Sequence, residues 1–174
     1  MTRYPLRHAL VLALVLAAGC GKDESAGTEI GPAGGTVSGP DGVSLVIPAG
    51  ALTEPTSISI TRATGVADNF LAVSPAYRFE PAGLTFQQPA VLVIPFQALL
   101  VQGAVTNVAI WWGAGPTSRW APLPSNVNLT LGTVAAEITH FSYGAAGEAD
   151  PGCVPDCEGR SCGFDGCSGT CGTG

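Results

Sequence analysis

The sequence predicts an all-β chain: an antiparallel β-sandwich with a short disulfide-rich tail at its C-terminus. Three observations predict it. Between residues 29 and 147, short runs rich in Val, Ile and Thr recur between clusters of Gly, Pro, Asn and Ser, the punctuation of a sandwich or barrel. Several of these runs alternate apolar and polar residues with a period of two. No segment sustains the period of an amphipathic helix; residues 95–102, "PFQALLVQ", have room for a helical turn at most.

The strands follow in order. "VSLVIP", residues 43–48, is closed by a proline, which has no amide hydrogen to donate. "TSISITR", residues 56–62, puts Ile58 and Ile60 on one face and Ser57, Ser59 and Thr61 on the other. "AYRFEP", residues 76–81, alternates in the same way. "AVLVIP", residues 90–95, is apolar throughout and is expected to be buried on both faces. "NVAIWW", residues 107–112, leads through "GAGPTS" into "RWAPL" as a hairpin. "VNLTL" and "TVAAEITHFSY" flank Gly132 and complete the set.

The ends have other jobs. Arg3 and Arg7 precede "ALVLALVLAA", residues 9–18, an apolar run with the length of a signal-peptide core and too short for a stable membrane span. It ends in "LAAGC", which resembles the lipobox of bacterial lipoproteins, with Leu16 one place further from the cysteine than the commonest pattern. The resemblance implies that Cys20 begins the mature chain, carries acyl chains such as palmitate, and anchors it stably to a membrane. Gly21 rather than aspartate after Cys20 implies the outer membrane, on its periplasmic face or at the cell surface. The division expected is a signal peptide at 1–19, a flexible tether at 20–28, the sandwich at 29–147 and a Cys/Gly-rich tail at 148–174. Loss of Arg3 and Arg7 leaves five basic against thirteen acidic side chains, a net charge of −8. Such a chain repels nucleic acid, which is not expected as a partner.

"GGTVSGPDGVSLVIPAGAL", residues 34–52, then "YRFEPAGLTFQQPAVLVIPF" and "ITHFSY", in that order, resemble the ZU-five domain of ankyrins, netrin receptors and tight-junction scaffolds. The resemblance implies a β-sandwich that works as an interaction module without a cofactor. The residues carry a physical reading of their own: Gly34 and Gly35 permit backbone angles closed to other residues, and Pro48, Pro81 and Pro95 end strands.

Chemistry is sparse. His140 is the one histidine of the mature chain, so a multi-histidine metal site is excluded and no metal is expected. Lys22 is the one lysine, and no Gly-rich phosphate loop surrounds it. Glu54, Glu80 and Glu137 are scattered, with nothing pairing them as acid and base. One stretch stands apart. In His140-Phe141-Ser142 the Ser142 hydroxyl could attack the Phe141 carbonyl while His140 takes the proton. This resembles the self-cleavage site of certain death-domain proteins that carry the same domain type. The opposing reading is a strand with Phe141 packed inward and His140 and Ser142 facing solvent. Trp111 and Trp112 must lie on opposite faces; Trp112 with Trp120 across the hairpin could form a platform for sugar rings or a protein partner, or both could pack under a loop.

In the tail, Cys153, Cys157, Cys162, Cys167 and Cys171 have the spacing C-x3-C-x4-C-x4-C-x3-C. The segment is too short for a hydrophobic core, and an exported compartment favours disulfides over metal. Five cysteines leave one over, free or bridging two molecules as a disulfide-linked dimer. The functional expectation is a non-catalytic module binding an unknown protein or glycan at a membrane. Self-cleavage between Phe141 and Ser142 and carbohydrate binding are the alternatives.

Overall fold

A computed structural model of the chain describes residues 27–116, 118–158, 163–167 and 169–172. The expected signal segment, Cys20 and Cys162 lie outside the described residues.

Two antiparallel sheets form the body. The larger has seven strands: β1 (Thr28–Ile30), β4 (Thr56–Arg62), β5 (Phe70–Ala72), β6 (Tyr77–Glu80), β8 (Ala109–Gly113), β9 (Ala121–Pro122) and β12 (Tyr143–Ala149). Their order is β1-β4-β6-β12-β8-β9, with β5 beside the end of β12. The smaller sheet has five strands: β2 (Gly35–Ser38), β3 (Ser44–Ile47), β7 (Thr85–Pro95), β10 (Ser125–Asn128) and β11 (Thr133–His140), in the order β10-β11-β7-β3-β2. In the tail β13 (Gly163–Phe164) pairs with β14 (Thr170–Cys171). Three short 3-10 turns are the only helical pieces among the described residues, one of them at Ala98–Leu100 inside the stretch expected to make a turn. The all-β antiparallel expectation is borne out.

Period-two alternation explains the core. Ile58 and Ile60 of β4 and Leu92 and Ile94 of β7 turn inward and are buried with Leu45 and Val134. Burial of each such side chain stabilises the fold by about 1.5–3 kcal/mol. A second, smaller core lies on the other face of the larger sheet, where Phe70 stacks on Trp111 at 4.7 Å and lies 5.6 Å from Trp120. Gly144 makes room for the first core: a β-carbon there would stand 2.6 Å from the Trp112 ring.

Gly34 takes a left-handed φ of 74°, as its position before the first predicted strand suggested. Gly35 has ordinary angles and is small for a different reason, since a β-carbon would meet Ile30 Cδ1 at 2.9 Å.

Three expectations are corrected. "AVLVIP" is covered on one face alone: Ala90, Leu92 and Ile94 are buried, Val91 is 37 % exposed and Val93 is half-buried. Among the described residues, nothing packs over the outer side of the smaller sheet at this strand. "TVAAEITHFSY" is two strands, because the chain leaves the smaller sheet at His140 and enters the larger at Tyr143. "VNLTL" is not a strand to its end; β10 stops at Asn128, whose Oδ1 accepts the Leu131 N–H at 3.1 Å, and Gly132 closes the hairpin with φ 62°.

Candidate interaction face

The register of the smaller sheet places side chains in rows across its uncovered side. Thr36, Val46, Val91 and Glu137 stand abreast on β2, β3, β7 and β11. One step along, Ser38, Ser44, Val93, Ala135 and Asn126 form the next row. Val46 is 45 % exposed and stands directly opposite Val91 across the strand pair. Glu137 is the one charged residue of these nine. The result is a surface of mostly short side chains with Val46 and Val91 paired at its centre. Its hydroxyls, on Thr36, Ser38 and Ser44, lie on β2 and β3, and its one carboxylate, Glu137, lies on β11.

Ionic chemistry gathers instead at one end of the sandwich. In the β2–β3 turn Asp41 adopts φ 57° and its carboxylate accepts from Arg62 Nε at 2.7 Å and from Arg62 Nη2. Tyr77 donates its hydroxyl to the same carboxylate at 3.3 Å. The Arg62 hydrogen bond and charge, aided by Tyr77, hold the Asp41 carboxyl below the usual carboxylate range against a smaller cost of desolvation. Burial, then the adjacent Asp41 charge, pushes Tyr77 up to about 12. A cleft of about 190 Å³ opens here, lined in part by Asp41, Arg62, Ser74 and Gln97. The ion pair is matched within itself and ties the β2–β3 turn to β4 and β6.

The residues expected to carry function lie as follows. His140 is exposed, with its ring edge-on to Trp112 at 6.3 Å. Phe141 is buried against Phe79 and Phe86. The Ser142 hydroxyl donates to the Gly113 carbonyl at 2.5 Å, so its proton is directed away from His140. The Phe141–Ser142 bond sits where the chain passes between sheets.

The tryptophan platform is corrected. Trp120 is fully buried and Trp112 is 8 % exposed, and they belong to different cores on opposite sides of the sheet. Trp111 and Trp112 do point to opposite faces, but Phe70, Trp120 and Ala145 cover the outer one. Asn69 fixes this cover: it accepts from Trp120 N–H at 3.0 Å and donates to the carbonyls of Trp120 at 2.8 Å and Gly166 at 2.9 Å. Gly166 belongs to the tail, which Arg119 also holds through a 2.8 Å bond to the Gly166 carbonyl.

Two tail disulfides interleave, Cys153–Cys167 and Cys157–Cys171, each spanning 14 residues. Cys162, the cysteine left over, and Cys20 fall outside the described residues. Sequence reasoning did not find the open valine face. Its signal was an apolar strand in a chain whose sheets are antiparallel, where one face is commonly uncovered.

Comparison with protein-family models finds a ZU5 (ZU-five) domain at residues 26–111. The expected resemblance is borne out over that stretch, which holds β1 to β7 and the first part of β8. No curated protein matches the chain.

Proposed function

We propose that this chain is a non-catalytic interaction module, held at an envelope membrane by acylated Cys20, that presents the open face of its smaller sheet to a protein partner. The ZU5 domain at residues 26–111 supports a protein-interaction role. The single observation that carries the surface assignment is the row Thr36–Val46–Val91–Glu137, with two neighbouring valines left uncovered by the fold. Burying adjacent valines against a partner is favourable, and one charge in nine positions keeps desolvation small. The lipobox-like "LAAGC" supports the anchor, and loss of the signal segment leaves a mature chain starting at Cys20.

The test compares proteins co-purifying with the tagged chain from cross-linked cells, for the natural sequence and for Val46→Asp with Val91→Asp. Both side chains point outward, but the two new carboxylates would stand beside Glu137, so the variant's urea-unfolding midpoint is measured alongside to show that it is folded. Partners present with the natural chain and absent with the variant support the assignment; the same set from both refutes it. Globomycin-type inhibition of lipoprotein processing, or the intact mass of the mature chain, tests the acyl anchor separately.

A further inference from the structure

The end of the sandwich that holds Asp41 and Arg62 also carries every exposed leucine among the described residues. Leu99 is 99 % exposed, Leu131 71 %, Leu129 61 % and Leu100 50 %. They sit on two neighbouring loops, after β7 and between β10 and β11. The Phe96 N–H donates to the Gly132 carbonyl at 2.9 Å and links the loops. The first loop is pinned further, by Gln97 N–H on the Val73 carbonyl at 2.9 Å and by the buried Glu148 carboxylate, which accepts from Gln102 and Gly103 N–H at 2.5 and 2.8 Å. These backbone bonds hold the leucines outward. Neither residues 96–108 nor residues 128–133 contain a charged side chain.

The chain approaches from the same side. β1 runs antiparallel to β4 with Thr28 opposite Ile58 and Ile30 opposite Thr56. Its start therefore points toward Arg62, the end of β4, which bonds Asp41. Climbing from the level of Ile58 to that of Arg62 takes four residues, about 13 Å. The eight links from Cys20 to Thr28 reach at most about 28 Å. A lipid-bearing Cys20 thus reaches a plane that touches the leucine loops.

We propose that Leu99, Leu100, Leu129 and Leu131 enter the headgroup region of the membrane that holds Cys20, so that the domain stands on this end with its valine face free at the side. The lipid surface it fits is zwitterionic, since the loops are uncharged and the acidic chain is repelled by anionic lipid. The inference rests on the anchored reading, so the test bypasses acylation. The mature chain with Cys20→Ser is tethered by an N-terminal hexahistidine tag to nickel-chelating lipid in phosphatidylcholine–phosphatidylethanolamine vesicles, and amide hydrogen exchange is compared with the untethered chain. Exchange in residues 97–103 and 129–132 is expected to slow several-fold on vesicles. The slowing is expected to vanish when all four leucines are replaced by serine, with exchange in β4 and β7 unchanged. Equal exchange tethered and free would overturn the proposal. So would protection that grows with protein concentration in the absence of vesicles, which would assign the end to a second copy of the chain. Absence of lipid on the mature chain from cells would refute the anchor alone.

Discussion

Asn69 and Trp120 are joined by two hydrogen bonds that mimic strand pairing: the carboxamide accepts from the Trp120 N–H at 3.0 Å and donates to the Trp120 carbonyl at 2.8 Å. The same nitrogen reaches Gly166 of the tail at 2.9 Å. Asn69→Ala leaves these buried groups without their partner and is expected to destabilise the domain by about 3 kcal/mol in urea unfolding. Asn69→Asp should be worse at neutral pH, because a carboxylate oxygen would face two carbonyl oxygens.

Tyr77 predicts a loss of stability in alkali. Its hydroxyl, pushed up to about 12 chiefly by burial, is neutral in the fold where the unfolded side chain ionises near 10. A raised folded value stabilises fully below the unfolded value and fades as pH climbs to the folded one. Between pH 10 and 12 this share amounts to about 1–2 kcal/mol, part of it being screened by solvent, and Tyr77→Phe should not show it. Asp41 behaves in the opposite sense: its lowered value gives stability present above the ordinary carboxylate range and lost as pH falls through it. Denaturant midpoints across pH, for Tyr77→Phe and Asp41→Asn, separate the two.

Ser142 predicts an intact backbone. With its hydroxyl donating to the Gly113 carbonyl at 2.5 Å, no proton is offered to His140. Boiling the mature protein in detergent with reductant should give one full-length mass; two fragments meeting at Phe141 and Ser142 would contradict the geometry. Ser142→Ala should cost about 1 kcal/mol.

The tail predicts its own pairing. Cys153→Ser should expose Cys167 to alkylation and leave Cys157–Cys171 intact, and Cys157→Ser should do the same for Cys171. Closing a loop of this length contributes about 3 kcal/mol to local order. Mass mapping after stepwise reduction checks the assignment, and any other pairing refutes it.

What the sequence revealed depended on how local the cause was. The strand over residues 56–62 was legible because its alternation is written in adjacent residues and coincides with β4. The valine face was hidden because Val91 and Leu92 look equally apolar, and what covers each is decided by a layer contributed from elsewhere. The break after His140 was illegible because alternation does not say which sheet a residue joins. Asp41 and Arg62 lie 21 positions apart and Asn69 and Trp120 lie 51, distances at which spacing carries no signal. The opposite orientation of Trp111 and Trp112 was legible, whereas the cover supplied by Phe70 on a three-residue strand was not.

The claim that the open sheet face receives a protein partner is tested most directly by a photo-cross-linking residue placed at Val91 in cells. The account predicts a discrete protein adduct from that position, weakened by Val46→Asp, and none from Gln88 on the same strand. Adducts from Gln88 with none from Val91 would contradict it.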